Sequence, residues 1–149
     1  PIALVPLVMV VMNVVYSLTA YPFGKLADKV SHRSILGLGL LVLILSDLIL
    51  GTNDRWWGVL VGVACWGIHM GMTQGLLATM VANTAPPDLK GTAFGFFNLV
   101  SGVAMLFASG IAGMLWTRLG SSFTFYAGAT FSAAALLALA WSPDRAMSR

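Results

Sequence analysis

Polar positions along the chain are bunched rather than spread. Five apolar stretches, running over about 2–23, 34–50, 56–82, 89–117 and 123–141, alternate with short turns that hold nearly every charge. Each has about 17 or more residues, enough at 1.5 Å per residue to cross a hydrocarbon layer roughly 30 Å thick. In lipid the backbone must satisfy its own hydrogen bonds, so these stretches are expected as helices. The alternating pattern of a membrane barrel is absent. The expected fold class is all-α, a polytopic bundle of five transmembrane helices forming one transmembrane domain over residues 1–149.

The breaks carry residues that start and stop helices. Ser31 or His32 opens the second helix, Asn53 or Asp54 is placed to cap the third, and Ser121 and Ser122 to cap the fifth. Pro86, Pro87 and Asp88 end the third helix and begin the fourth. Short connections make successive helices antiparallel, and an odd number of spans puts the two ends on opposite sides. Lys25, Lys29, Arg33, Lys90, Arg145 and Arg149 then share one side, and Arg55 and Arg118 the other. The excess of basic residues assigns the first group, and with it the C-terminus, to the cytoplasm. Trp56, Trp57, Trp116 and Trp141 fall at span ends, where indoles favour the interface.

Composition excludes a water-soluble domain. Hydrophobic residues make up 58% of the chain and charged ones 9%, against about 25% charged in a typical soluble domain. The net charge of +3 points to membrane orientation and not to nucleic acid, because the basic residues sit in turns without interleaved aromatics. The single Cys65 lies inside an apolar run and permits no disulfide framework. The histidines at 32 and 69 are a helix apart with no ligand set around them, and no phosphate-binding loop or nucleophile grouping is visible. No enzymatic activity, metal or cofactor is expected. The chain opens at Pro1 without an initiator methionine, which reads as a fragment or a processed chain.

The turn after the first span reads Gly24-Lys-Leu-Ala-Asp28-Lys29-Val-Ser-His32-Arg33. It resembles the cytoplasmic loop motif of the major facilitator superfamily, Gly-x-Leu-Ala-Asp-Arg-x-Gly-Arg-Arg/Lys. Gly24, Leu26, Ala27, Asp28 and Arg33 match, and Lys29 keeps the charge; Ser31 and His32 depart from the pattern. Lys90-Gly-Thr-Ala-Phe-Gly-Phe-Phe-Asn98, continuing to Gly110-Ile-Ala-Gly113, resembles the eleventh helix of many bacterial members. The motif loop recurs in both halves of such transporters. The short polar tail from Ser142 to Arg149 favours helices eight to twelve, with two to six as the alternative.

The resemblance implies a secondary transporter of a small solute working by alternating access in the inner membrane of a bacterium. Its partners would be the lipid bilayer, the solute and the missing N-terminal half of the same transporter. It also implies a gating role for Gly24, Asp28, Lys29 and Arg33, the aspartate holding a helix of the opposite half. Lys29 and Arg33 would pair with acids or with helix C-termini nearby. A merely solvated loop is the plainer reading. A non-transporting scaffold or sensor of the same fold, and an unrelated five-span protein, remain the other functional readings.

Within the spans, Gly67, Gly71 and Gly75 recur every four residues in the third, and Gly91 and Gly95 do so in the fourth, as expected of helix packing. Trp66, His69 and Thr73 fall roughly opposite the first stripe, with Gln74 to the side. In the resembled family this helix lines the central cavity. These four, with Asn13 and Tyr16 of the first span, are the candidate substrate contacts; Ser17 shares their face. Asn98 and Ser101 are expected to bond between helices. Asp47, the sole acid within a span, is expected near the outer interface, reaching water.

Overall fold

The computed structural model describes residues 5–142. Arg145 and Arg149, and the first residues of the first span, lie outside them. Five helices follow one another: α1 (Val5–Ala27), α2 (His32–Thr52), α3 (Trp56–Thr84), α4 (Lys90–Leu119) and α5 (Ser121–Trp141). All are long and apolar enough to cross a membrane, and the described residues contain no strand. The protein is an all-α polytopic bundle.

Local chemistry accounts for most boundaries. Ser31 caps α2, its hydroxyl accepting the Ser34 N–H at 3.2 Å. A 3-10 turn at Pro87–Leu89 leads into α4. Two expected caps are not used. The N-cap of α3 is Arg55, without a side-chain bond, because Asn53 turns back to donate to the Ile49 carbonyl at 3.1 Å and closes α2 instead. Ser121 is already helical, and the cap position of α5 is Gly120 with φ 94°. That backbone is open to glycine and costly for other residues, so a one-residue turn joins α4 to α5.

Packing does not follow chain order. α1 lies on α3, α3 on α2, and α2 on α5, while α4 touches α5 and, less extensively, α3. Helix α3 therefore stands between α1 and α2, although only residues 28–31 link those two. The core is small: Ile35, Met72 and Leu76, with Phe23, Ala27, Leu36 and Ile68 packed around them. Helices α1 and α4 bury no residue completely. Phe96, Leu99, Leu106 and Phe107 of α4 are each more than 60% exposed. Such surfaces are stable where the surroundings are lipid tails or further apolar helices.

Helix contacts are made by small residues and backbone groups. Ser46, fully buried, donates to the Gly62 carbonyl at 2.8 Å and ties α2 to α3. Gly67 and Gly71 let α1 approach α3: a Cβ built on Gly67 would lie 2.7 Å from the Met12 carbonyl oxygen, and one on Gly71 would meet the Thr19 hydroxyl. A Cβ on Gly75, Gly91 or Gly95 would meet nothing within 4 Å among the described residues.

Candidate functional site

The turn between α1 and α2 is tied to α5 through Arg33. Lys25, in the last turn of α1, places its ammonium 4.6 Å from the centre of the Tyr21 ring. Arg33, in the first turn of α2, donates to the Ala140 carbonyl at 2.8 Å. Ala140 is in the last turn of α5, where unsatisfied carbonyls and the helix dipole favour a cation. Gly24, Asp28 and His32 line a cavity of about 200 Å³. Tyr16 forms part of its wall from α1, and Gly71, Gly75 and Thr79 from α3. One end of the bundle thus carries a polar recess framed by the motif residues.

The face of α3 expected to contact solute is divided. His69 meets the Gly39 carbonyl through Nδ1 at 2.8 Å. A carbonyl can only accept, so Nδ1 carries a proton and donates it, with Nε2 on the other side of the ring. Thr73 is buried against α2, its hydroxyl donating to the His69 carbonyl at 2.9 Å. Gly39 lacks a side chain where Thr73 comes close: a Cβ there would lie 2.7 Å from Thr73 Cγ2. Both residues face α2. Gln74 is exposed. Asn13 is exposed and its amide donates to the Met9 carbonyl of its own helix at 2.8 Å. Trp66 points elsewhere again, into a separate cavity bounded by α4 and α5. The six residues therefore do not converge on one pocket of the described bundle. Asn98 is exposed rather than set between helices.

That separate cavity holds about 590 Å³ between α2, α3, α4 and α5. Phe107, Phe125 and Phe131 line it with Trp66, and its polar groups are Asp47, Thr124 and Ser132. Asp47 is not the exposed, water-reaching side chain that its sequence position suggested. It is 8% exposed, because α5 packs on α2 and presents Gly128 to the carboxylate. A Cβ on Gly128 would lie 2.7 Å from Asp47 Oδ2. The sequence signals were present, an acid inside a span and a glycine in another, but nothing along the chain pairs them.

A third recess of about 580 Å³ lies between the end of α3 and the start of α4. It is lined by Met80, Thr84, Phe96, Phe97 and other apolar side chains. No group of three or more metal-binding side chains occurs among the described residues.

A family model described as Major Facilitator Superfamily matches residues 2–149. The chain is also 28% identical over 130 residues to an uncharacterised MFS-type transporter of Methanocaldococcus jannaschii. The match covers 87% of this chain and 32% of that relative, so the chain spans about a third of the relative's length.

Proposed function

The chain belongs to the major facilitator superfamily, and from that premise we propose that this integral membrane protein is part of a secondary transporter carrying a small solute by alternating access. The family speaks for transport rather than catalysis. The five helices supply helices eight to twelve of such a carrier in a bacterial inner membrane, and the partner of this unit is an opposing half of the same transporter. The turn between α1 and α2 and the C-terminus lie on the cytoplasmic side, following the excess of basic residues.

One observation carries the reading. Of the motif residues, Arg33 is hydrogen-bonded to the end of α5, and Asp28 lines a recess together with residues of α1 and α3. The bond from Arg33 would carry α5 along with the turn and with α1 and α2, which it joins. Alternating access requires rigid-body rocking of this kind. Asp28, exposed at the end of α1, is available to a helix terminus of the opposing half, and several contacts of about 0.3–1 kcal/mol each would bias the two states. Tyr16 lines the recess of the motif turn, and the exposed Asn13 and Gln74 are the proposed solute contacts on α1 and α3. His69, which faces α2, is proposed to reach the solute through Nε2, while Thr73 lies against α2 and Trp66 in the lateral cavity.

The test is flux. In proteoliposomes containing the complete transporter, Asp28→Asn should lower the maximal uptake rate several-fold and leave solute binding intact. Uptake and binding both unchanged would remove the gating role. The five-helix chain alone should show no saturable uptake, because it lacks the opposing half.

A further inference from the structure

Asp28 and His32 flank the turn between α1 and α2 and line the same recess of about 200 Å³. The Asp28 carboxylate has no hydrogen-bond donor among the described residues. The permanent cations nearest to it in sequence are placed elsewhere. Arg33 donates to the Ala140 carbonyl of α5, Lys25 lies over the Tyr21 ring, and Lys29 is exposed and does not line the recess. His32, half-buried as the first residue of α2, is the one basic side chain among the lining residues. Tyr16 faces it from α1 and Asp28 from the turn, while the residues that α3 contributes carry no ionisable group.

An imidazole where the motif pattern has arginine changes the chemistry of the turn. Arginine keeps its charge at every pH a cell meets. An imidazole ordinarily gains or loses its charge between about pH 5 and 8. While His32 is neutral, the Asp28 carboxylate is left to whatever approaches the turn from outside the chain. Once protonated, His32 puts a positive charge inside the recess, and a helix terminus of the opposing half must compete with it for the same carboxylate. We propose that His32 is a pH sensor on the cytoplasmic side: on acidification its imidazolium draws Asp28 into the recess and loosens the hold of this turn on the opposing half. The sensor rests on the reading above of Asp28 as the group that holds that half. It sets one exposed ion pair against a contact of similar size, so the ratio of the two forms should change about two- to fivefold.

The test reads conformation rather than flux. In the complete transporter, freed of its native cysteines, spin labels are attached at Val30→Cys, exposed in the turn, and at the facing cytoplasmic end of the opposing half. Double electron–electron resonance in nanodiscs then gives the distances between them at about pH 6 and about pH 8, either side of the ordinary imidazole range. The ratio of long to short distances should rise about two- to fivefold at the lower pH. His32→Arg should hold the low-pH distribution at both values and His32→Gln the high-pH one. Asp28→Asn should give the long distances at both. If Asp28→Asn kept the short distances, the gating role of Asp28 would fall and the sensor with it. If it lengthened them while the parent protein ignored pH, the sensor alone would fall. A pH response that survives in His32→Gln, or identical distributions in His32→Arg and His32→Gln, would also overturn the sensor. Uptake is measured separately and decides the transporter reading, whichever way the distances turn out.

Discussion

Replacing Gly67 by alanine adds one methyl group where α1 and α3 are closest. The new Cβ would lie 2.7 Å from the Met12 carbonyl oxygen, 3.1 Å from Val15 Cβ and 3.2 Å from the Tyr16 nitrogen. Carbon–oxygen contacts settle at about 3.3 Å or more, so the fit falls short by roughly 0.6 Å. Two of the three neighbours are backbone atoms, which cannot rotate away; the helices must part. Overpacking of this sort costs about 1–3 kcal/mol. Alanine also favours the helix over glycine by about 1 kcal/mol, which would mask part of the loss. Gly75→Ala removes that ambiguity. It makes the same exchange in the same helix, where the new methyl meets nothing within 4 Å. The two variants should differ by about 1–3 kcal/mol, Gly67→Ala being the weaker. Reversible unfolding of the purified chain in mixed micelles, titrated with SDS and followed by circular dichroism, reads the difference. Equal stability of the two variants, or a more stable Gly67→Ala, would refute the claim that α1 and α3 meet at this glycine.

Ser46→Ala deletes the bond to the Gly62 carbonyl and should cost about 0.6 kcal/mol, and no more than ~1.7, in the same titration; no loss would mean that the bond adds nothing to α2–α3 packing. Gly120→Ala forces a side chain onto a backbone with φ 94° and should cost about 1–3 kcal/mol, whereas a neutral result would show that the α4–α5 turn relaxes. His69→Asn keeps a donor near the Nδ1 position and should preserve the contact with Gly39, while His69→Ala should lower thermal stability; solute affinity unchanged in both would remove His69 from the solute path. In a Cys65→Ser background, Asp54→Cys should react with a membrane-impermeant maleimide from outside intact cells and Ser31→Cys should not. The reverse labelling would invert the orientation.

Much of the architecture was legible along the chain because it depends on local quantities. Hydropathy over about twenty residues decides whether a segment crosses a bilayer. The observed helices start and stop within a few residues of the apolar stretches. Ser31 was readable as a cap because capping is a contact between near neighbours. Asn53 and Ser121 were harder: both suit a cap, and which residue takes the position depends on the geometry of turns only one to three residues long. The turn between α1 and α2 was readable as a motif. Its latch was legible only in outline, since a helix C-terminus could be foreseen as the partner of Arg33 but Ala140, 107 residues away, could not.

The sequence by itself determined five lipid-compatible helices, their alternating direction, the family and the residues of the motif turn. Only the tertiary structure decided the order α1, α3, α2, α5, α4 across the bundle, which sends Trp66 to a different neighbour from His69 and Thr73 and buries Asp47 against Gly128. The physical reason is one of range. Each helix closes its own backbone hydrogen bonds, so its existence follows from the residues within it. Which face meets which helix depends on the fit of small and large side chains far apart in the chain, and almost every face here is apolar enough to accept several partners.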